Sequence, residues 1–243
     1  MSAREGPPAV SFRLPLSARL LSLVGTIVIG LSSVLMVGFL VAALMIDQWL
    51  VGGVVAICAA IMLILTRYVG RDLQGKWELR VILRAESVEL CLPRNRSLIH
   101  ATPAQHVAVP YADIAAIETR LEAYPSLGMV SMQQPYVLRR KTGEPLFLFE
   151  ERAVGTGWQK PYFAGLIGDL AERAKAPIRD LGMSEGKGGV LGVMHTEEAD
   201  WAAPALPRSR QIQLFQRAAT TGALALLLAT AAFMVRWAVA VLR

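Results

Sequence analysis

The three histidines of the chain are the residues best suited to metal binding or acid–base chemistry. His100 and His106 have no cysteine or acidic residue beside them in the sequence. His195 is followed by Glu197 and Glu198, but no second histidine or cysteine completes a ligand set there. Because a metal site needs several such ligands at a defined spacing, we interpret all three histidines as surface or loop residues and predict no metal site.

Other reactive patterns are also incomplete. The Gly-Lys-Gly-Gly run at 186–189 lacks the spacing of a phosphate-binding loop, and Gly188 stands where that loop needs a hydroxyl residue. Glu150 and Glu151 are neighbours in a predicted strand, so their side chains should point to opposite faces and cannot form an acid–base pair. No Gly-x-Ser-x-Gly motif is present. We therefore expect no catalytic residue, no cofactor and no enzyme activity.

The composition is typical of a membrane protein. Hydrophobic residues make up 54% of the chain and charged residues 18%, whereas soluble proteins carry about a quarter charged residues. Three segments are entirely free of charge: Leu20–Ile46, Trp49–Thr66 and Ala218–Val235. Apolar runs of about 18 or more residues indicate membrane-spanning helices. The first run is too long for the apolar core of a cleaved signal peptide, so we predict that it anchors the chain.

Only two residues, Asp47 and Gln48, separate the first two apolar runs. We therefore predict a transmembrane helical hairpin over residues 20–66. The third run predicts a C-terminal transmembrane helix within residues 213–243, with an interfacial helix as the alternative.

Basic residues predict the orientation of these segments. They flank the first two runs, while the tip of the hairpin carries only an acid. The flanking residues are Arg4, Arg13, Arg19, Arg67, Arg71 and Lys76. By the positive-inside rule, the N-terminal segment 1–19 and the middle of the chain lie in the cytoplasm, and the C-terminus lies outside.

The net charge of +6 does not by itself indicate nucleic-acid binding. Many of the basic residues flank the membrane segments, and no basic run is interleaved with aromatic residues. We therefore predict no nucleic-acid partner. Cys58 lies in the second apolar run and Cys91 in a predicted strand, so the two cysteines do not predict a disulfide.

Residues 67–181 carry the pattern of a strand-rich domain. In "WELRVILR" and "SVELCLP", apolar residues occupy alternate positions, which is typical of half-buried strands. These positions are Trp77, Leu79, Val81, Leu83, Val88, Leu90 and Leu92. A second hairpin is predicted around residues 141–144, where Gly143 can adopt a positive φ.

The hydrophobic period then changes to that of a helix. Apolar residues recur every three or four positions, at Phe163, Leu166, Ile167 and Leu170. Pro177 ends this helix, and its apolar face should plug a bent sheet. We expect the sheet face to be lined by Leu79, Val81, Leu83, Leu90, Leu146 and Leu148, or by the residues next to them in each strand. Residues 182–212 are rich in Gly and Pro, and we interpret them as a linker back to the membrane.

Two stretches resemble a known family. "AVPYADIAAIE" is similar to the Ile-Pro-aromatic-x-x-Ile-x-x-Ile strand motif of bacterial PH-like domains in small membrane proteins, and "WELRVILRAESVEL" resembles their opening hairpin. The resemblance implies an α+β membrane protein with a transmembrane helical hairpin and a PH-like domain with a C-terminal capping helix. It also implies the bacterial cytoplasmic membrane as the location. The third apolar run and the linker depart from the commonest layout of that family.

Two sets of residues are candidates for interaction. Arg139, Arg140 and Lys141 form the densest positive cluster of the domain and predict an interaction surface, with a solvated loop as the alternative. Small residues recur at every fourth place in the three apolar runs, which favours close helix packing. They are Ser22, Thr26 and Gly30, then Gly52, Ala56 and Ala60, and finally Thr221, Ala225 and Ala229. Their packing partner could lie within the chain, in a second copy or in another membrane protein.

These features favour a non-enzymatic, membrane-anchored interaction or scaffold module whose partners are the bilayer and a membrane protein or a second copy. Two alternatives are a domain that senses anionic lipid and an accessory subunit of a membrane enzyme or transporter. Specific inositide recognition is disfavoured, because the turn of the first hairpin, Ala85-Glu86-Ser87, carries no basic cluster.

Overall fold

The computed structural model describes residues 9–97, 99–100, 102–126, 129–152, 161–187 and 199–220. Its helices are α1 (Leu16–Met45), α2 (Trp49–Glu78) and α3 (Ala164–Ala174). Its strands are β1 (Val10–Phe12), β2 (Arg80–Leu83), β3 (Ser87–Leu92), β4 (Gln105–Pro110), β5 (Ile114–Ser126), β6 (Met129–Arg140), β7 (Pro145–Arg152) and β8 (Ile178–Glu185). A short 3-10 turn, Tyr111–Asp113, separates β4 from β5, and residues 208–220 are helical.

Helices α1 and α2 form the predicted antiparallel hairpin. In the described part of the chain they are the two helices long and apolar enough to cross a membrane. Large apolar side chains cover their outer surfaces, including Leu21, Leu31, Leu35 and Leu50. Such surfaces are stable against lipid tails and costly in water. The predicted third span lies mostly beyond residue 220, outside the described residues.

The first stripe of small residues packs against α2. The Ser22 hydroxyl donates to the Asp72 carboxylate at 2.7 Å, and the Thr26 hydroxyl lies 3.3 Å from the carbonyl oxygen of Val69. A Cβ added at Gly30 would lie 4.0 Å from the nearest side chain of α2. The first stripe therefore serves packing within the chain.

The second stripe is shifted by one residue from its predicted position. Gly52 is buried and Ala56 is half-buried, but Ala60 is exposed and its neighbour Ala59 is buried. A strict four-residue step drifts off one helix face because the helical period is 3.6 residues, so the face continues at Ala59. The third stripe (Thr221, Ala225 and Ala229) lies outside the described residues.

The strands form two four-stranded sheets. Sheet A has the order β1-β2-β3-β4, and sheet B has the order β7-β6-β5-β8. All neighbours pair antiparallel except β5 and β8, which run parallel. Strand β1 precedes α1 and pairs with β2, which follows α2. The chain therefore enters and leaves the hairpin at the same sheet, on the same side.

The predicted core is confirmed. Phe163, Leu166, Ile167 and Leu170 of the α3 region are buried in one cluster with residues of both sheets. That cluster also includes the predicted sheet positions Leu79, Val81, Leu83, Leu90, Leu146 and Leu148. The Phe163 ring stacks on that of Phe149, with centroids 3.9 Å apart. Helix α3 is thus bound to the sheets mainly by the hydrophobic effect.

The start of the domain differs from the sequence prediction. Trp77 was expected in a strand, but α2 continues to Glu78, and Trp77 is 45% exposed on that helix. No proline interrupts residues 67–78, and the Leu79 N–H still bonds the Gly75 carbonyl at 3.2 Å. Helix α2 therefore continues without a break from the apolar hairpin to Glu78, at the start of the domain.

The end of the domain also differs. The prediction placed its boundary at 181 and a linker at 182–212, but β8 runs to Glu185 and completes sheet B. The Leu206 N–H donates to the Met183 carbonyl at 2.7 Å, and Arg210 forms an ion pair with Glu185 at 2.7 Å. Gly182 has a φ of +79°, and a Cβ there would overlap Ala205. This glycine therefore serves a close approach of chain segments rather than flexibility.

A buried ionic network binds residues 199–200, which follow β8 in the chain, to sheet B. The Glu122 side chain is fully buried and accepts hydrogen bonds from Arg120 at 2.7 Å and Tyr124 at 2.6 Å. The Glu122 oxygen that accepts from Tyr124, Oε2, also lies 2.7 Å from His100 Nε2. Arg120 donates to the backbone carbonyls of Ala199 and Asp200. His100 lies in a loop, which the prediction of a surface or loop residue allowed, but its ring is buried against an acid rather than exposed.

The C-terminal part of the chain packs near this network. The Arg120 guanidinium lies over the Trp201 ring, 3.9 Å from its centroid. Leu214, in the helical residues 208–220, is fully buried in an apolar cluster with Met132 and Met183. The chain returns toward its C-terminal apolar run along a fixed path against sheet B.

Glu122→Gln should destabilise the protein strongly, because it leaves Arg120 buried without its ionic partner. Breaking such a pair costs about 3–5 kcal/mol. Burial alone would raise the pKa of the Glu122 carboxyl, but hydrogen bonds from His100 and Tyr124 and the charge of Arg120 lower it below its ordinary value of 4.5. The stabilisation is therefore present above that value and is lost as the pH falls through the lowered pKa.

The pH dependence of this stabilisation can be measured from the thermal unfolding of the detergent-solubilised chain at a series of pH values, from neutral to acidic. The difference in Tm between wild type and Glu122→Gln should be largest at neutral pH and should narrow in acid. Glu172→Gln, at an exposed position of α3, is the control and should unfold like wild type. Equal Tm values for wild type and Glu122→Gln at neutral pH would contradict the structural role of the network.

Candidate functional site

The junction between the hairpin and the sheets centres on one carboxylate. Asp72 lies on α2, beyond the charge-free run, and forms an ion pair with Arg152 at the end of β7. It also pairs with Lys76 one turn further along α2 at 2.7 Å and accepts a hydrogen bond from Ser22 of α1. Both membrane helices and sheet B are therefore joined through Asp72.

A cavity of about 230 Å³ lies beside this carboxylate. Its walls come from α2, the loop after β3, the end of β7 and the residues before α3. The charged residues that line it are Asp72, Lys76, Arg96, Glu150, Glu151 and Arg152. Three acids face three bases, so the cavity does not favour a ligand of one sign. Its described lining contains no serine, cysteine or histidine. The described residues therefore do not form a serine or cysteine nucleophile activated by a histidine base.

Close backbone packing shapes one wall of the cavity. A Cβ added at Gly75 would overlap the carbonyl oxygen of Asn95, so only glycine lets the loop approach α2 this closely. Arg96 fixes the loop by donating to the carbonyls of Pro93 at 2.8 Å and Phe147 at 3.2 Å. Burial lowers the pKa of Arg96 to about 10, which leaves it charged at neutral pH. The junction is thus a rigid joint.

The acids of the junction differ in their environment. Glu150 accepts hydrogen bonds from Ser97 at 2.5 Å and from Arg152 at 3.0 Å. Burial raises the pKa of the Glu151 carboxyl, although the Phe163 N–H donates to it. Burial also lowers the pKa of Arg152 to about 10. Since Arg152 keeps its charge at neutral pH, it can hold Asp72 and Glu150 together.

The predicted basic cluster is not one surface. Arg139 forms an ion pair with Glu118 at 2.6 Å and donates to the Gly143 carbonyl. Arg140 lies 4.0 Å from Glu144, and Lys141 is exposed. The turn itself is as predicted, with Gly143 at a φ of +88°. The charge of Arg139 is therefore largely neutralised, that of Arg140 is partly offset by Glu144, and Lys141 is the most exposed charge of the turn.

Arg140 and Lys141 lie beside the open edge of sheet A. Two shallow depressions, of about 410 and 190 Å³, share Val107 and Arg140 in their lining and run between β4 and the β6–β7 turn. We call them together the edge groove. Strand β4 ends the order of its sheet and pairs with β3 alone among the described strands. One side of the groove is therefore a strand with free backbone hydrogen-bonding groups.

Two polar atoms in the edge groove are buried without a hydrogen-bond partner. They are Nε of Arg140, a donor, and Oε1 of Gln105, an acceptor, and both residues line the groove. Buried polar groups in folded proteins are nearly always satisfied. Neighbouring atoms cover both of these atoms, so the bonding capacity that the groove offers to another chain is the free backbone edge of β4.

The edge groove lies away from the junction. In the β6–β7 ladder, Arg139 pairs with Pro145 at the turn, and Gln133 pairs with Arg152 at the junction. At about 3.3 Å per residue, the turn is separated from the contact with α2 by roughly 20 Å along the strand. The groove is accessible independently of the junction cavity.

The fold also assembles a group of metal-ligand types that sequence spacing did not reveal. Glu89 and Cys91 of β3 and His106 of β4 place one ligand atom each within 4.8 Å of one another. Cys91 and His106 are direct partners in the β3–β4 register. The pairing of β3 with β4 brings Cys91 and His106 together, although a loop separates them in the sequence. The sequence signal for this contact would have been the strand alternation, which places both residues on the outer face of sheet A.

Arg152→Gln should weaken the junction, because Asp72 and Glu150 would then share no cation. A fully buried pair would cost more, but these side chains are 14–22% exposed, so we expect a loss of about 1–3 kcal/mol. Hydrogen–deuterium exchange should rise at the end of α2 and in β7. Arg84→Gln, which removes a more exposed pair on β3, should cost less than about 1 kcal/mol. Unchanged exchange in Arg152→Gln would show that the pair does not hold the joint.

Comparison with known proteins supplies no relative for this chain: no family, no curated protein and no solved structure matches it. The assignment therefore rests on the chain's own features, namely two long apolar helices and a strand-rich domain. These features are compatible with a sheet domain anchored to a membrane by a helical hairpin.

Proposed function

We propose that this chain is a membrane-anchored interaction module that captures an extended segment of mixed charge from a partner protein in the edge groove. The single observation that carries this proposal is the free edge of β4, which pairs with β3 alone among the described strands and lies beside the groove. In this proposal the hairpin lies in the bacterial cytoplasmic membrane and the sheet domain is a PH-like domain on its cytoplasmic side.

The edge groove has the chemistry of strand addition. An extended peptide gains affinity from backbone hydrogen bonds to an exposed strand edge and specificity from side chains beside it. Pro110 lacks an N–H and limits pairing at one end of β4, so the usable edge is Gln105–Val109. The bases Arg140 and Lys141 line the groove together with the acids Asp113 and Glu144, so the groove suits a bound segment of mixed charge.

The rigid junction supports a scaffold role. Helix α2 runs unbroken from the apolar hairpin into the domain, and Asp72 is paired with Arg152 of β7. A module joined by a flexible linker samples many heights above a membrane, whereas this joint holds the domain at one height and orientation. The edge groove would then meet partners in the same membrane at a fixed distance from the bilayer.

The PH-like assignment is supported by two sheets covered by a helix and by the "AVPYADIAAIE" stretch, which places Pro110 and Tyr111 at the corner between the sheets. Two departures accompany it. Strand β1 precedes the hairpin, and β8 follows α3 and pairs parallel with β5. Helix α3 covers the core but is not the last element of the domain.

Lipid sensing is less well supported than protein capture. Of the three basic residues of the β6–β7 turn, Arg139 pairs with Glu118 and Arg140 lies 4.0 Å from Glu144, so Lys141 is the most exposed charge of the turn. One basic residue near an anionic surface contributes only about 1 kcal/mol. The role of an accessory subunit in a membrane complex is compatible with protein capture, and the identity of the partner would distinguish it.

Charge reversal in the edge groove, Arg140→Glu with Lys141→Glu, should abolish partner capture without unfolding the domain. The tagged full chain is isolated in mild detergent, and co-purifying proteins and lipids are quantified by mass spectrometry. The matched control reverses two exposed basic residues elsewhere, Lys175→Glu with Arg179→Glu. Arg139 is left intact because it pairs with Glu118.

The expected result is a near-stoichiometric protein that the groove variant loses and the control retains, with equal Tm in both. Loss of anionic lipid instead of a protein would favour the lipid-sensing alternative. A partner retained by the groove variant, or no specific partner for wild type, would overturn the proposal.

The proposed topology can be tested separately. Short split-fluorescent-protein tags at either terminus should be complemented by a cytoplasmic fragment only at the N-terminus, because the basic flanks favour the cytoplasm. Complementation at both ends would show that the C-terminal apolar run does not cross. Complementation at the C-terminus alone would reverse the orientation and place the edge groove outside the cytoplasm.

A further inference from the structure

We propose that Glu89, Cys91 and His106 form a zinc-binding site on the outer face of sheet A. The site goes beyond the proposed capture of a partner and rests on different atoms. It consists of one carboxylate and one thiol from β3 and one imidazole from β4. Three protein ligands leave a fourth position for water or for a ligand from another molecule.

The backbone already places the three side chains correctly. Cys91 and His106 are directly opposite in the antiparallel ladder, where side chains share a face and their Cβ atoms lie about 5 Å apart. Glu89 precedes Cys91 by two residues, so it lies on the same face of β3. Glu89 Oε1 and His106 Nε2 are already 3.0 Å apart.

The remaining adjustment is small. Zinc bonds of about 2.0–2.3 Å in a tetrahedron place ligand atoms about 3.3–3.8 Å apart, whereas the three atoms here lie within 4.8 Å of one another. A closure of about 1 Å is within the reach of side-chain rotation. The His106 side chain is 67% exposed, so its ring is free to turn without disturbing the core.

Arg84 prepares the carboxylate for this role. Its guanidinium donates to Oε2 of Glu89, through Nε at 2.9 Å and through Nη2. Oε1 therefore remains directed toward His106 and available to a metal ion. Carboxylate ligands in metal sites are commonly held by such outer hydrogen bonds, which fix their orientation.

The donor set selects for zinc among common cellular cations. A thiolate and an imidazole suit borderline-soft ions, whereas calcium and magnesium prefer oxygen ligands throughout. Cys91 is a free cysteine in the structure and half-buried, and a thiol in a reducing compartment remains available as a ligand. A bound ion would cross-link β4 to β3.

The test uses tag-free, full-length protein in detergent with a non-thiol reductant, stripped of metal by a chelator. Zinc is titrated in competition with a chromophoric chelator, and bound metal is counted by mass spectrometry. We expect one zinc ion per chain and a loss of affinity of more than about 100-fold in Cys91→Ser and in His106→Gln, since loss of outer-shell partners alone costs 10–100-fold. Cys58→Ser, which removes the other cysteine, is the control and should bind zinc like wild type.

Two further measurements cover variants that fail to fold. Zinc should protect Cys91 of the wild-type protein, but not Cys58, from alkylation. Cobalt bound in place of zinc should show a thiolate-to-metal charge-transfer band that Cys91→Ser lacks. Absence of stoichiometric zinc, equal alkylation of Cys91 with and without zinc, or zinc retained in both ligand variants would overturn the proposal.

Discussion

The ion pair between Asp72 and Arg152 determines how the two halves of the molecule are arranged. Asp72 belongs to a helix that is continuous from Trp49 to Glu78, and Arg152 ends β7, an edge strand of sheet B. A contact at this point fixes the sheet to the membrane helix rather than to a loop. Strand β1 adds a second attachment, because the residues before α1 pair with the strand that follows α2. Both sheets are thereby tied to the two ends of one helical hairpin.

Charged residues join segments that are far apart in this chain. Arg152 and Asp72 are 80 residues apart, as are Arg120 and the Asp200 carbonyl that it holds. Taking charges out of water is costly, and well-packed apolar replacements are often as stable. A buried polar network, however, is satisfied in one arrangement only. We infer that these networks serve to select a single docking of hairpin, sheets and C-terminal segment.

Local patterns in the sequence predicted the local structure well. Alternation revealed β2 and β3, Gly143 marked the β6–β7 turn, and the 3.6-residue period placed the buried face of α3. Two boundaries differed, because each depends on a distant partner. β8 is stabilised by pairing with β5, although three residues at its start are exposed. The end of α2 is stabilised by the junction, although alternation at Trp77 and Leu79 also suits a strand.

The site residues were harder to predict, since each group combines segments far apart in the chain. His106 has no acid or thiol beside it in the sequence, yet strand register places Cys91 opposite and Glu89 nearby. His100 meets Glu122 because the loop between β3 and β4 packs against β5. No spacing rule within one strand contains this information. Once β3 and β4 are correctly paired, however, the Cys91–His106 contact follows from the register alone.

The basic cluster illustrates the opposite error, in which neighbours in sequence are separated in space. Successive strand residues point to opposite faces, so Arg139 turns to Glu118 while Arg140 lines the edge groove. The useful signal was the unfilled bonding capacity of an edge strand, which depends on sheet order.

Both proposals then converge on β4. A zinc ion shared with β3 would restrict the motion of this strand, and His106 also lines the groove. Because binding is weakened by the entropy of ordering the receptor, a strand already fixed by metal would accept an added peptide strand at lower cost.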